Sequence, residues 1–264
     1  MNYKHLTGIV GLLSLFLMTP VAQAQSDGNV YWRIDPSVKS CSMNISPSLT
    51  QDQWHRFTRE IGAIASYKSL ASAQTLGKGN VNLVLNGGYT PVDQHNPAWI
   101  NTFVHPDEDC PLGDAIELPT LQARVGLTDK VDVGGYWINA FDANYGLVGG
   151  EVKYAFLSES RKRPAMAVRG SFSLLTGVPD FNVQLIGYDL IASKNVSVVT
   201  PYVGFRENLV IGTETTSKVD LDREVLGVSQ GYFGVEYRVW SISLAAEYNI
   251  STVNTSAVAL GFNL

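Results

Sequence analysis

The last twelve residues, 253–264, read VNTSAVALGFNL and alternate between two classes of side chain. Val258, Leu260, Phe262 and Leu264 are large and apolar, whereas the residues between them are small or polar. Side chains on a β-strand point alternately to its two faces, so a period of two is typical of a strand with one apolar face. The stretch therefore predicts a strand whose two faces meet different surroundings.

Nine segments upstream follow the same alternation. In the first, Val81 and Leu83 share one face, and Asn82 lies on the other. The segments are 81–89, 121–127, 131–141, 148–156, 166–174, 181–191, 196–205, 233–239 and 242–250. Together with the closing stretch they predict ten strands.

Two places in this pattern need a separate interpretation. The strands 181–191 and 196–205 are less regular, and Pro201 predicts a bulge or register error there. The alternation in 231–251 has no visible turn, yet it is about twice as long as a tilted strand needs to cross a bilayer. We therefore expect a turn near Trp240.

An apolar strand that ends at the last residue of a chain resembles the closing strand, and assembly signal, of Gram-negative outer-membrane β-barrel proteins. Members of that family more usually end in Phe or Trp than in a residue such as Leu264. The resemblance covers about 76–264 and implies an all-β fold, a transmembrane antiparallel up-and-down β-barrel of about ten strands, with eight or twelve as alternatives. It also implies an outer-membrane location, contact with outer-membrane lipid and lipopolysaccharide, and recognition of the closing strand by the barrel-assembly machinery.

The connections between the segments support this interpretation. Both very long connections, 91–116 and 206–226, fall on one side, and outer-membrane barrels place longer loops outside and short turns in the periplasm. A soluble β-sandwich is the alternative, because it also alternates apolar and polar residues. Glycines such as Gly126 and Gly134 fall in the polar class, however, as expected inside a narrow lumen.

Composition limits the partners but does not decide between these folds. The chain has a net charge of -5, 16% charged residues and 45% hydrophobic residues. A barrel strand is only half apolar, so average hydropathy does not reveal it. The negative charge provides no basic surface for nucleic acid, and we expect no nucleic-acid partner.

The amino-terminal part of the chain divides into a signal and an arm. In 1–24, Lys4 precedes an apolar run from Ile9 to Met18, and the run is followed by the small-residue site Ala22-Gln23-Ala24. This order predicts a cleaved secretory signal peptide. The arm is 25–75 and is expected to be periplasmic or lumenal.

The arm contains one helical signature, near 50–64. Thr50 followed by Gln53 forms a capping box. The apolar residues of the segment recur near helical spacing: Trp54, Phe57, Ile61 and Ile64. Such a helix could cap the barrel from the periplasm, rest on the inner leaflet or plug the lumen, and we favour a cap or a plug.

Charged residues also occur in the inward-facing class of the strands. They are Arg124, Asp132, Glu151, Lys153, Arg169, Asp189, Glu236, Arg238 and Glu247. An unpaired buried charge is very costly, so we expect these acids and bases to pair. Two hypotheses stay open: a salt-bridge network that stiffens a filled barrel, and a charged constriction that selects small solutes.

The first long connection is acidic and contains two histidines. His95, His105, Asp107 and Asp109 are candidate ligands for a divalent metal, because imidazole and carboxylate groups both bind such ions. A solvated loop without a ligand is the interpretation we favour. We expect no catalytic residue and no cofactor, since no histidine lies on a strand beside an orienting partner.

Cys41 and Cys110 are the only cysteines. In an oxidising compartment an even pair is a candidate disulfide. The bond would tether the arm to the outer rim, which requires the arm to run through the lumen and so favours a plug.

These patterns predict a non-enzymatic, porin-like outer-membrane barrel: a narrow pore for small solutes, or a structural or surface-exposed barrel with an acidic first extracellular loop. The alternative is an outer-membrane enzyme, a protease or a lipid-modifying hydrolase, that uses loop histidines and carboxylates. The sequence leaves the oligomeric state open.

Overall fold

The computed structural model describes residues 43–103, 113–139 and 145–264. Within them, two helices are α1 (Gln51–Ala65) and α2 (Pro97–Ile100). The strands are β1 (Val81–Pro91), β2 (Ala115–Gly126), β3 (Val131–Asn139), β4 (Gly146–Leu157), β5 (Ala165–Thr176), β6 (Phe181–Ser193), β7 (Val199–Glu214), β8 (Glu224–Val239), β9 (Ile242–Ile250) and β10 (Thr255–Asn263). The predicted signal peptide lies outside the described residues.

The strands form one closed antiparallel barrel in which β1 pairs with β10. Leu83 lies opposite Phe262, and Leu85 lies opposite Leu260. Closure pairs the backbone groups of both edge strands, as a sheet within a bilayer requires. The predicted all-β up-and-down barrel of ten strands is confirmed.

The two ends of the barrel differ in their connections. We call the end where β1 joins β2 the loop end, because it carries the longest connection between strands. The opposite end, where β2 joins β3 and where β10 finishes, is the turn end. At the turn end, β8 and β9 are joined through Trp240 and Ser241. The predicted turn near Trp240 is therefore confirmed.

The outer surface of the barrel is apolar and its inner surface is polar toward the turn end. Leu85 and Val258 face outward and are 58% and 64% exposed, whereas the charged Arg169 and Asp189 face inward and are buried. A soluble protein buries its apolar side chains and exposes its charged ones. The reversed arrangement on a closed barrel suits a hydrocarbon environment and excludes the sandwich.

The structure corrects the predicted connection 206–226. The strand β7 continues to Glu214 and β8 begins at Glu224, so most of the predicted loop is paired strand. Residues 206–214 and 224–226 were interpreted as loop. They continue the strand alternation instead, which extends this hairpin beyond its neighbour β9–β10.

The predicted bulge at Pro201 is also wrong. The pairing of β7 with β6 and with β8 runs through this region in unbroken register. The carbonyl of Pro201 accepts a hydrogen bond from the N–H of Lys194, one residue beyond the end of β6. The missing N–H of proline therefore falls where the neighbouring strand has ended. A register shift occurs instead between Ala155 and Leu157 of β4.

The helix α1 begins at the predicted capping box. The Thr50 hydroxyl accepts a hydrogen bond from the Gln53 N–H at 3.5 Å, and the Gln53 side chain accepts one from the Thr50 N–H at 3.3 Å. These bonds satisfy donors that a helix start leaves free.

No helix of the described ranges is long and apolar enough to span a membrane.

Candidate functional site: a filled lumen

The helix α1, hereafter the plug helix, lies inside the loop-end half of the lumen. Its Trp54 ring packs edge-on against Phe181 of β6, with 5.5 Å between ring centroids. At Gly62 the wall is so close that a Cβ would stand 2.5 Å from the Val210 Cγ2 of β7. The apolar face predicted from the sequence is thus seated directly against the barrel wall.

The inner wall around the plug helix departs from the small or polar inward-facing side chains that the alternation predicts. Val183 and Leu185 of β6, Val210 of β7 and Val228 of β8 face inward and are buried in the apolar cluster that includes Trp54. The helix offers these residues an apolar partner, so burying them is favourable. Alternation along a strand does not reveal a second element inside the barrel, and the expectation therefore fails in this half.

Residues 66–80, hereafter the lumen segment, run from the plug helix to the start of β1 at the turn end. Near the helix, the Ser66 hydroxyl donates to the Gln230 side chain at 2.7 Å. Farther along, Arg124 donates to the Ser69 hydroxyl at 2.8 Å, and the Leu76 N–H donates to Asp132 at 3.1 Å. These partners lie on β8, β2 and β3, so the segment contacts the wall from several sides as it crosses the lumen.

Most of the charged residues predicted to face the lumen are buried there. The buried ones are Arg124, Asp132, Glu151, Lys153, Arg169, Asp189, Glu236 and Glu247. Arg238 follows the same parity but is the second-last residue of β8, and its side chain is 40% exposed at the turn end. It pairs with Glu236 at 2.7 Å.

The buried charges form linked pairs near the lumen segment. Asp132 pairs with Lys153 at 3.1 Å, and Glu151 lies 3.6 Å from Arg169. Arg169 also pairs with Asp189. Such pairing offsets part of the desolvation cost of buried charges.

Arg206 is a central member of this network that the sequence analysis missed. Its Nε lies 3.1 Å from Asp189 Oδ1, and its Nη1 donates to Gln230 at 3.1 Å. Its guanidinium carbon lies 4.8 Å from the centre of the Tyr232 ring. The residue was assigned to a loop, although inward parity continues from Tyr202 through Arg206.

A hydrogen-bonded latch holds the lumen segment at the turn end. The Gln74 amide donates to Glu159 at 2.8 Å, and the Asn195 N–H donates to the same carboxylate at 3.1 Å. Lys194 lies 3.3 Å from it. Burial alone would raise the pKa of Glu159, but these hydrogen bonds and the Lys194 charge bring the pKa below its ordinary value.

The candidate metal ligands are only partly described. His95 is 87% exposed, and its Nδ1 lies 4.0 Å from Asp93. His105, Asp107 and Asp109 lie outside the described residues. Within the described part of the chain, no three His, Cys, Asp or Glu side chains are arranged to hold a metal ion.

The candidate disulfide stays a prediction, because Cys41 and Cys110 also lie outside the described ranges. Nearby, the Asn44 N–H donates to the Thr102 carbonyl at 3.0 Å, and the Ser46 N–H donates to the Asn101 carbonyl at 2.8 Å. The start of the described arm is therefore attached to the first loop at the loop end.

No protein-family model matches the chain, and no curated protein matches it. Similar solved structures include an outer membrane channel from Pseudomonas putida F1, with 8% identity, a TM-score of 0.44, and coverage of 73% of this chain and 98% of that one. Ail, the attachment invasion locus protein of Yersinia pestis, has 10% identity, a TM-score of 0.32, and coverage of 71% and 99%. Neisserial surface protein A has 15% identity, a TM-score of 0.31, and coverage of 71% and 97%. These values do not assign a function.

Three features of the structure identify its fold. Its strands close into a barrel, its outer face is apolar, and its lumen holds paired charges. These features confirm the fold that the resemblance implied: the chain is a closed antiparallel β-barrel of ten strands with an apolar outer face.

Proposed function

We propose that this protein is a non-enzymatic outer-membrane barrel with a narrow pore for small solutes, which the plug helix and the lumen segment close. The observation that carries the proposal is that the arm enters the barrel and bonds to its inner wall from Ser66 to Leu76. The charges lining the lumen would select solutes once this arm moves.

The contacts of the lumen segment would allow it to move out of the lumen. Its main chain bonds to wall side chains, as when the Ala73 N–H donates to the Ser193 hydroxyl at 3.1 Å, and it is not a strand of the sheet. Water can replace such bonds at small net cost. The closed sheet therefore keeps its own hydrogen bonds when the segment moves.

The proposed orientation follows the usual arrangement of outer-membrane barrels. The loop end faces outside, where the acidic first loop meets lipopolysaccharide, and the turn end faces the periplasm. The signal peptide 1–24 directs export, and the strand that ends at Leu264 is recognised by the assembly machinery. The hydrolase alternative gains no support from His95, which is exposed and has its carboxylate neighbour at 4.0 Å.

A reversible lock tests the pore. In a chain with Cys41→Ser and Cys110→Ser, the pair Ala73→Cys and Ser193→Cys is placed where the lumen segment contacts β6, since the Ala73 N–H donates to the Ser193 hydroxyl at 3.1 Å. Single-channel current in planar bilayers is recorded before and after reduction. We expect current in the unlocked chain, none in the oxidised double variant, and recovery with a reductant.

The matched control is Ala73→Cys alone in the same background, which should conduct in both redox states. Absence of current from the unlocked chain at every voltage would show a permanently filled barrel. Hydrolysis of a peptide or lipid A substrate, abolished by His95→Ala, would instead support the enzyme.

A further inference from the structure

Three neighbouring turns at the turn end form one surface, hereafter the basic rim. The Lys194 Nζ of the β6–β7 turn donates to the carbonyls of Ser160 and Arg163 in the β4–β5 turn. The Arg238 N–H, near the end of β8, donates to the carbonyl of Val198 at 3.1 Å. Each turn is thus bonded to the next. The basic rim comprises 158–164, 194–198 and 240–241.

The basic rim presents two arginines whose donors are largely free. Arg161 and Arg163 are exposed, and neither forms an ion pair with a carboxylate within 4.0 Å among the described residues. The Arg163 Nε donates to the Ser160 hydroxyl at 3.4 Å, which leaves its other four N–H donors unused. Glu159 in the same turn is already engaged by Lys194 and Gln74. The rim therefore carries uncompensated positive charge with donors available to a ligand.

The backbone holds these arginines in a tight turn. The Ser160 N–H donates to the Arg163 carbonyl at 3.1 Å, and the Arg163 N–H donates to the Ser160 carbonyl at 3.2 Å. A guanidinium group can donate two parallel hydrogen bonds to one phosphate, so paired arginines on a fixed turn suit a phosphate ester.

The same surface exposes apolar side chains beside the cations. Val196 is 61% exposed, and Trp240 in the β8–β9 turn is 94% exposed. Tryptophan is enriched where a membrane meets water, because its ring is apolar and its N–H is polar. Apolar residues mixed with arginine and lysine are typical of a surface that lies in the headgroup layer of an anionic membrane.

The basic rim also continues directly from the apolar outer face of the barrel. Phe156 of β4 and Val168 of β5 face outward and are each 43% exposed, and the β4–β5 turn joins these two strands. Because the outer face suits hydrocarbon, the turn that follows it lies at the level of the lipid headgroups. Lipid is therefore the partner that the position of the rim favours over a protein.

We propose that the basic rim binds the headgroup of an anionic phospholipid of the phosphatidylglycerol class, in the leaflet at the turn end. Arg161 and Arg163 hold the phosphate, and Val196 and Trp240 contact the glycerol and the upper acyl chains. The headgroup of a zwitterionic phospholipid carries no net charge and gains less from the rim. This inference rests on the outer-membrane location proposed above and not on the opening of the pore.

Native mass spectrometry of the full-length protein in detergent tests the site, with phosphatidylglycerol and phosphatidylcholine of equal acyl chains as separate probes. We expect at least one bound phosphatidylglycerol with a dissociation constant at least tenfold below that of phosphatidylcholine. Each basic side chain near an anionic headgroup strengthens binding about fivefold. Arg161→Gln combined with Arg163→Gln should therefore weaken phosphatidylglycerol binding at least about tenfold and leave phosphatidylcholine binding within about twofold.

The matched control is Arg59→Gln combined with Arg223→Gln, which removes two exposed arginines at the loop end and should leave both affinities unchanged. Heat-modifiable gel mobility first confirms that each variant folds. Equal affinity of the unmodified protein for both lipids, or a folded Arg161 and Arg163 variant that keeps the preference, would overturn the site. Displacement of the lipid by inorganic phosphate, but not by sodium chloride of equal ionic strength, would overturn it in favour of a free anion. Each result is independent of whether the channel conducts.

Discussion

Arg206 is the buried cation on which several lumen contacts converge. Replacing it with Met removes the bonds to Asp189 and Gln230, although Asp189 keeps its pair with Arg169. Removing one partner of a buried pair costs about 3–5 kcal/mol, and the remaining pair places our expectation near the lower value. We therefore expect Arg206→Met to lower the free energy of unfolding by about 3 kcal/mol.

Urea titration of the protein refolded in liposomes measures this loss. Lys162→Met, an exposed change of similar type, should stay within about 0.5 kcal/mol of the unmodified protein. Equal stability of the two variants would show that the network contributes little to the fold.

Glu159 predicts a pH dependence of the latch at the turn end. Its pKa is lower in the folded protein than its ordinary value, so its contribution to stability is present above the unfolded pKa of about 4.3 and is lost as the pH falls through the folded pKa. At pH 6 the unmodified protein should be more stable than Glu159→Gln. Unfolding measured from pH 6 to pH 3 should show this difference shrinking toward zero, and a constant difference would contradict the assignment.

At the scale of elements, the plug helix packs closely against β7, and under the proposed function this contact would set how firmly the pore is closed. A side chain at Gly62 would collide with Val210, where a Cβ alone would come within 2.5 Å. Overpacking costs about 1–3 kcal/mol, and Gly62→Leu can release that strain by moving the helix off the wall. We expect the ratio of open to closed time in bilayer recordings to rise by about tenfold.

The matched control is Arg59→Leu, which places the same side chain on the exposed face of the helix. It should leave the open time within twofold of the unmodified protein. A closed Gly62→Leu channel with intact heat-modifiable mobility would show that the helix is not the gate.

For the whole molecule, the apolar outer face predicts a dependence on membrane depth. Leu85 stands near the middle of β1 and faces outward, whereas Val81 is the first residue of the same strand. An Arg at the bilayer midplane of a barrel costs about 2–4 kcal/mol, and near the interface about 0–1 kcal/mol. Leu85→Arg should therefore destabilise the liposome-refolded protein by about 2 kcal/mol more than Val81→Arg. Equal losses would place β1 outside the hydrocarbon layer.

The sequence was sufficient to predict the strands of the barrel wall. It was not sufficient to predict how the plug helix and the lumen segment contact that wall. Alternation at residues such as Val258 and Leu260 is a local property of each strand, so ten strands and their outward faces could be predicted. Lys68 and the inward Val183 depend on contacts between the arm and distant strands, which no period in the sequence encodes. Arg206 could have been found, because the parity of β7 continues past Pro201.

The lumen segment also constrains the order in which the molecule is built. It joins β1 at the turn end, yet the 15-residue helix before it lies at the loop end, inside the ring closed by β1 and β10. If the ring closed first, that helical stretch would have to travel the length of a finished barrel. Wrapping the wall around a segment already in place requires no such passage. We therefore expect β1 and β10 to pair last during biogenesis.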